Sequence, residues 1–548
     1  MNNTTLYGHL VEKHRSHPTL PAFVDLSHQQ PQELTLTDLL KETNKAANLL
    51  QEQGIGDGDC IAVWLPSWPV SYAWQFAASA VGAYVIGVNT RYNVAEVGHV
   101  LRKAQPKLLV MAHDFRNVDF LSTAKTAVAT AQRQDAEFLA PIVIATSAPR
   151  SDQPIDVREY DLGSGAIDWS ESSHAEPEQL RMTGDTSALS VAFTTSGSTG
   201  MPKLAAHSEA AVIHHLTRVS NRIGFKSGDL MVEPLPYSGV FGYVAGMSAF
   251  FGGAAVMLQD AFEPRSLTEA WHTFKGTHFV GADDMMSRIR EAWKELRVSL
   301  DSWRWTGIAD FQGMSHELAH WTEKEFGTRT VGVYGSSEVF ALMTFWETNT
   351  PEYLRLNGGG NMTAPDYEFR IADPTRNASP PDGEQGEIQL RGPNVVDTYL
   401  GDSGEGKKAF TQDGWFQTGD LGKRTGPDSF EYICRMGDVL RLKGFMVDPS
   451  EIETHISHHP TVEIVKVVGR RGESGEDQAV AFVSLHDGMN ATEQELIDYC
   501  RDQLARYKVP SEIRIVRQMP TTVGTNGSKI KTVTLREWAQ QKRNDNDA

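Results

Sequence analysis

Three times between Thr37 and Met111 an amphipathic stretch is followed by a short apolar run, and this alternation limits the fold more than any other feature of the chain. LLKETNKAANLLQEQ carries apolar residues at helical spacing; the turn GIGDGD follows, and CIAVWLP then reads as a buried strand. WQFAASAVGAYVIGVN and VGHVLRKAQPKLLVMA repeat the order. Helices crossing between consecutive apolar strands predict βαβ units, hence a mostly parallel sheet covered by helices. At 548 residues the chain greatly exceeds the roughly 100 to 200 residues of one domain, so more than one core is expected. Ser147 to Gln179 is polar and reads as a surface excursion ahead of the strand in SALSVAFTTS. From Ser429 onward strands and helices become short and mixed. The predicted fold class is therefore α/β: a large multi-layer N-terminal body with parallel-rich sheets over residues 1–434, followed by a small α+β C-terminal domain over residues 435–548.

Composition removes several classes of function. A net charge of -19 argues against broad adhesion to nucleic acid or anionic lipid, so an anionic ligand must be held by a local device. Cys60, Cys434 and Cys500 show neither CxxC nor paired spacing, which supports no disulfide framework or cysteine-rich zinc site and fits a reducing cytosol. The first residues lack a signal-peptide core, the final Asn-Asp-Ala is no peroxisomal address, and a cytoplasmic location is expected. The most apolar stretch, Val240 to Leu258, is broken by Gly242, Gly246, Gly252 and Gly253 and reads as buried α/β core instead of a membrane span.

Directly after the apolar LSVAF comes Thr194-Thr195-Ser196-Gly197-Ser198-Thr199-Gly200-Met201-Pro202-Lys203. Glycines let backbone N–H groups turn toward an anion, hydroxyls add donors and Lys203 adds positive charge, a set that suits a polyphosphate. It is not a Walker A loop, since Met201-Pro202 separates Gly200 from Lys203 and Leu204 follows. Taken alone, the stretch also fits a flexible Ser/Gly turn.

Further elements follow in order. They are Val333-Tyr334-Gly335-Ser336-Ser337-Glu338, Gly414-Trp415-Phe416-Gln417-Thr418-Gly419-Asp420, Arg435-Met436-Gly437-Asp438 with Lys443-Gly444-Phe445 and Pro449-Ser450-Glu451, and Asn526-Gly527-Ser528-Lys529-Ile530-Lys531. Together with the Thr194–Lys203 loop, and in that order over nearly the whole chain, they resemble the adenylate-forming superfamily, in its acyl-CoA synthetase branch. The resemblance implies two half-reactions. A small-molecule carboxylic acid and MgATP give an acyl-adenylate and pyrophosphate, and coenzyme A then displaces AMP. It also implies a mobile C-terminal lid.

By the same resemblance, Thr195, Ser196, Gly197, Ser198, Thr199, Gly200 and Lys203 hold the ATP phosphates, with Thr199 and Lys203 also catalytic. Tyr334, Gly335, Ser336 and Ser337 line the nucleotide site, Tyr334 over the adenine face, although a Tyr closing a strand also fits plain core. Glu338 takes Mg²⁺, as hard cations prefer carboxylate oxygen. Asp420 accepts from the ribose hydroxyls and Arg435 donates to sugar or phosphate, although this pair equally fits a salt bridge at a domain boundary. Lys443 and Gly444 belong to the lid face used with coenzyme A. Lys529 is expected to place its ammonium on the acid and the α-phosphate, where negative charge grows in the transition state. Ser528 departs from the family's Gly-Lys order, which keeps Lys531 as an alternative.

Leu235-Pro236-Tyr237-Ser238-Gly239 puts Gly239 where many relatives carry His, which implies a wider or differently gated acyl pocket. Tyr237, Phe241, Gly281, Phe311, Phe340 and Ala341 are the predicted pocket residues, a mixture suited to an apolar or aryl acid. Asp283 and Asp284 offer a contact for a polar or basic group instead. His207, His214, His215, His455, His458 and His459 read as structural. Loading a carrier protein, and a nucleotide- or acyl-binding regulator, are the alternative functions. The oligomeric state is open, a homodimer included.

Overall fold

The computed structural model describes residues 4–172, 185–195, 201–373, 383–401, 403–442, 445–447, 449–471, 477–524 and 527–541. Two large sheets dominate. The first has eight strands among the described residues, and Leu189–Thr194, Tyr84–Gly87, Cys60–Trp64, Leu108–His113, Ile142–Ser147 and Ala166–Asp168 form its parallel part. Cys60–Trp64 is buried at every residue, as a strand covered on both faces must be. The helices joining these strands begin where the sequence offers partners for their first N–H groups. Leu36–Glu52 starts with a capping box between Thr35 and Asp38, and Val94–Ala104 with one between Asn93 and Glu96.

The second sheet has thirteen strands among the described residues, with a parallel half and an antiparallel half. Leu230–Glu233, His278–Ala282, Trp305–Ala309 and Thr330–Ser336 run parallel side by side, so their C-terminal ends form one rim. Helices Pro69–Val81 and Val240–Gly252 are buried around nearly their whole circumference in a core shared by the two sheets. This is the α/β core expected for the apolar Val240 to Leu258 stretch. Among the described residues no helix is long and apolar enough to cross a membrane.

Both sheets change from parallel to antiparallel pairing at neighbouring points. Leu189–Thr194 pairs parallel with Tyr84–Gly87 and antiparallel with Leu204–Ser208. Thr330–Ser336 pairs parallel with Trp305–Ala309 and antiparallel with Phe340–Phe345. The Ser337 hydroxyl donates to the Thr194 carbonyl at 2.9 Å and ties the two points together. Crevices outside the carboxyl ends of strands at such changes of direction are where open α/β sheets bind ligands.

The last strand of the large sheet to be added in sequence, Ser429–Arg435, ends at Arg435. Beyond it a small α+β unit has cores of its own, built on the three-stranded sheet of Val462–Arg471, Asp477–Leu485 and Glu512–Ile515. Its hairpin strand Gly527–Ile530 lies against the body's helix Asp283–Leu296.

Candidate active site

Three of the predicted nucleotide-site residues, Tyr334, Asp420 and Arg435, come together where the two sheets change direction. Asp420, 4% exposed, faces Arg435 directly across the Phe416–Arg424 and Ser429–Arg435 ladder. The Tyr334 hydroxyl donates to Asp420 Oδ2 at 2.7 Å, and Arg435 Nη1 donates to the Thr418 carbonyl at 2.8 Å. Arg435 Nε lies 3.1 Å from Asp420 Oδ1, yet Oδ1 receives no protein hydrogen bond. The contact is ionic and not aligned, which leaves a buried carboxylate oxygen with acceptor capacity. Burial raises the pKa of Asp420, opposed by the Arg435 charge. Burial lowers that of Arg435, but Asp420 and the neighbouring tyrosines outweigh it and the net shift is upward. The corner is thus both the salt bridge and the oriented acceptor that the sequence allowed.

Glu338, half-buried, follows the Thr330–Ser336 strand in the turn to Phe340–Phe345. That turn is pinned from beneath. His207 Nε2 lies 2.8 Å from the Ser337 carbonyl, and His215 Nε2 lies 2.8 Å from the Ala341 carbonyl, so both rings carry the proton on Nε2. Burial lowers these two pKa values to about 4 and about 3, which keeps both imidazoles neutral. Phe340 is stacked between them, with ring centroids 4.1 Å and 4.8 Å away, and takes φ +64°. A bulky residue in left-handed backbone is strained, and such strain persists only where the surroundings over-determine it.

Thr195 and Lys203 close the neck of the glycine-rich loop: Thr195 N–H donates to the Lys203 carbonyl at 2.9 Å, and Lys203 N–H to Thr195 Oγ1 at 3.2 Å. Ser196, Gly197, Ser198, Thr199 and Gly200, and likewise Lys443 and Gly444, lie outside the described residues. Sequence reasoning missed Tyr399. Its strand, Thr398–Tyr399, pairs with Leu204–Ser208, its ring lies 5.3 Å from the Lys203 ammonium, and its hydroxyl reaches Glu338 Oε1 at 3.4 Å. The only sequence signal was a tyrosine six residues beyond the Gly392-Pro393 pair, which carries no chemistry by itself.

Of the predicted pocket residues, Tyr237, Gly281 and Phe311 lie at or just beyond the C-terminal ends of successive parallel strands along the same rim. Phe241 is buried on helix Val240–Gly252, Phe340 is held between the histidines, and Ala341 supplies the carbonyl to His215. Tyr237 alone among them lines a narrow, mostly apolar cavity beneath the rim. Asp283 is not a wall of the site. It is fully buried, and its carboxyl accepts from the N–H groups of Phe311, Gln312 and Met314 at 3.2, 2.7 and 3.3 Å, organising the loop 310–314. Burial, reinforced by the adjacent Asp310, pushes its pKa up to about 8.

The backbone of Lys529 lies in the hairpin against helix Asp283–Leu296; its side chain is outside the described residues. Lys531 sits exposed at the cap of helix Thr532–Gln540, with its N–H on the Pro520 carbonyl at 2.7 Å.

Comparison with known proteins identifies the family. Residues 10–400 match the family model of the AMP-binding enzymes, and residues 451–524 match that of the AMP-binding enzyme C-terminal domain. The chain belongs to the AMP-binding enzyme family. This AMP-binding enzyme is 26% identical over 527 residues to the mitochondrial medium-chain acyl-CoA ligase of Danio rerio, covering 92% of this chain and 84% of the relative. It is 26% identical over 498 residues to the feruloyl-CoA synthase of Amycolatopsis sp, covering 89% and 91%. Its fold matches that of ATP-bound MatB from Rhodopseudomonas palustris with a TM-score of 0.82 over 99% of each chain, at 20% identity.

Proposed function

We propose that the protein is an ATP-dependent acid–thiol ligase that converts a carboxylic acid to its acyl-adenylate and then to a coenzyme A thioester. The observation that carries this reading is the buried Asp420, fixed by Tyr334 and Arg435 with one oxygen still able to accept. The strand that carries Tyr334 leads into Ser337, whose hydroxyl donates to the Thr194 carbonyl beside the neck of the hydroxyl- and glycine-rich loop. That combination offers an acceptor for a ribose hydroxyl and donors for phosphate at the two ends of one nucleotide.

In the first half-reaction an oxygen of the acid attacks the α-phosphorus. The bond from that phosphorus to the bridging oxygen breaks, and pyrophosphate leaves with the electron pair. Asp420 and Arg435 hold the ribose, Tyr334 keeps Asp420 in place, and Lys203 with the loop hydroxyls, Thr199 among them, holds the departing phosphates. Glu338 fits Mg²⁺ as a hard oxygen donor whose Oε1 takes a long contact from Tyr399 at 3.4 Å, and the ion there would neutralise phosphate charge. Lys529 stabilises the acid and α-phosphate as negative charge grows between them. In the second half-reaction the coenzyme A thiolate attacks the acyl carbonyl carbon, the bond to the phosphate oxygen breaks, and AMP leaves.

One lid must serve both steps, with Lys529 turned inward for the first and the Lys443 to Phe445 face for the second. Gly437 is the pivot of this reading: a Cβ built there meets nothing within 4 Å, and Arg536 holds both the Gly437 carbonyl, at 3.2 Å, and the Asp438 carboxylate. The relatives' named substrates support an acid with an apolar body, in fatty acid metabolism if that body is aliphatic. A cytoplasmic location rests on the cysteine spacing alone.

The test is Lys529→Ala assayed in both half-reactions. Adenylate formation is expected to fall severely, while ATP binding and thioester formation from supplied acyl-adenylate survive. The same profile in Lys531→Ala and not in Lys529→Ala would move the catalytic lysine two residues.

A further inference from the structure

The segment that carries Glu338 is tied down by its carbonyls. Those of Ser337, Glu338, Val339 and Ala341 each accept a hydrogen bond from outside the two strands that this turn joins. The donors are His207 Nε2 at 2.8 Å, the Val396 N–H at 2.6 Å, Asn394 Nδ2 at 2.9 Å and His215 Nε2 at 2.8 Å. A connecting segment ordinarily runs over the surface and leaves such groups to water. Here three of the four donors are side chains that are themselves 0% exposed. They come from strand Leu204–Ser208, helix Glu209–Ile223 and the loop that precedes Thr398–Tyr399.

The backbone is held against its own preference. Phe340 and Leu342 take φ +64° and +57°, left-handed values that bulky side chains keep only where the surroundings over-determine them. A turn that merely reverses the chain is more simply built with Gly or Asn at such positions. His215 is in turn oriented by the Tyr367 hydroxyl, which donates to its Nδ1 at 2.9 Å. What these ties fix is the place of Glu338 relative to the Thr194–Lys203 loop. Thr194 and His207 flank that loop on paired strands, and both grip Ser337. The Ser337 hydroxyl donates to the Thr194 carbonyl at 2.9 Å, while its carbonyl accepts from His207. Glu338 is the next residue. Its backbone carbonyl is held by Val396, and its carboxylate stands beside Tyr399, whose ring also meets the Lys203 ammonium.

We propose that His207, Asn394 and His215 are positioning residues that hold the Glu338 turn at a set distance from the phosphate-type loop, so that a divalent cation shared by Glu338 and the ATP phosphates meets both without rearrangement. Each of the three acts on a backbone carbonyl and not on the ligand. A hard cation gains from an oxygen only where that oxygen stands at the right distance. Groups that orient a metal ligand from behind typically change affinity or activity by roughly 10- to 100-fold. Loosening the turn should therefore weaken the metal–phosphate end of the nucleotide and spare the ribose end, where Asp420, Tyr334 and Arg435 hold one another independently.

This proposal rests on the ligase reading for the identity of the ion and the nucleotide, and the experiment separates the two. Mn²⁺ stands in for Mg²⁺ and α,β-methylene ATP for ATP. Their joint binding is followed by the EPR signal of free Mn²⁺, AMP without metal is titrated by calorimetry, and Tm is recorded without ligand. His207→Leu and Asn394→Leu are each expected to weaken binding of the Mn²⁺–analogue pair about tenfold or more and to raise the KM for MgATP, with AMP affinity and the acid's KM held within about twofold. His207→Gln keeps an N–H donor near the place of Nε2 and should return binding to within about threefold of wild type. His207→Asn, whose amide is too short to reach the Ser337 carbonyl, should show the loss even if the leucine variants do not fold. AMP and Mn²⁺–analogue affinity falling together, or a lower Tm with unchanged Mn²⁺–analogue affinity, overturns the proposal, since the three residues then serve the fold alone. No binding of the pair by wild type overturns it as well. If no acid supports pyrophosphate release, but the variants still weaken the pair and His207→Gln recovers it, the positioning role stands and the ligase reading fails.

Discussion

The two ends of the site solve the problem of buried polarity in opposite ways. At the nucleotide end a buried carboxylate is locked by a guanidinium and a phenol, Arg435 and Tyr334, so charge meets charge and one oxygen remains to be filled. At the other end, beneath the parallel rim, the cavity is uncharged, and among the described residues the Gln75 carbonyl oxygen and the Tyr237 and Tyr243 hydroxyls have no hydrogen-bond partner. A site shared by every reaction of a nucleotide can be preorganised with ions, which hold position strongly when paired. A recess with room for about one water needs no ions, because that water can serve its neutral groups.

Lesions at the two ends should therefore separate in kinetics. The largest effect is expected for Asp420→Ala, which removes the acceptor and leaves Arg435 and Tyr334 without their buried partner: pyrophosphate exchange should fall on the order of 10²-fold or more, with AMP affinity falling in parallel by calorimetry. Next is Gly246→Ala. Its methyl must displace the Tyr72 hydroxyl and the Glu233 carboxylate, at about 1–3 kcal/mol of stability by chemical denaturation. The Tyr72 ring lies 4.0 Å from that of the predicted pocket residue Tyr237. The KM for the acid should therefore rise while that for ATP holds, and a rise in both would mean that the two ends are not separate.

Tyr334→Phe keeps the ring and removes one hydrogen bond, worth about 1 kcal/mol, so the KM for ATP should rise roughly fivefold with the acid's KM unchanged. The smallest effect on catalysis belongs to Asp283, which holds a loop, and its signature is in stability instead. Its pKa rises from 3.8 to about 8 on folding, so between those values the native state keeps a proton that the unfolded chain has lost. That contribution is full below about pH 4 and is lost as pH rises to about 8. Asp283→Asn lacks this titration, so its stability relative to wild type should improve between pH 5 and pH 8; a constant gap would show that Asp283 ionises normally.

The alternating pattern from Thr37 to Met111 was enough to specify the parallel sheet, because period and apolarity are local properties. So were the elements that meet at the nucleotide corner, since Tyr334, Asp420 and Arg435 sit in motifs of distinctive composition. Tyr399, Gln75 and Tyr243 were not legible. Each stands in an unremarkable stretch and gains its meaning from a partner far away in sequence, Glu338 for Tyr399 and the shared cavity for the other two. Asp283 shows the reverse error: an acidic pair at a helix start reads as a ligand contact, whereas the chain uses one of the pair to gather the N–H groups of a loop 28 to 31 residues away.

The account turns on covalent activation of an acid by AMP, and ATP–pyrophosphate exchange in the absence of coenzyme A tests this most directly. Label from pyrophosphate should enter ATP only when a suitable acid is present, and acyl-adenylate should accumulate on the enzyme. Exchange that needs no acid, or hydrolysis of ATP to ADP with no exchange at all, would contradict it.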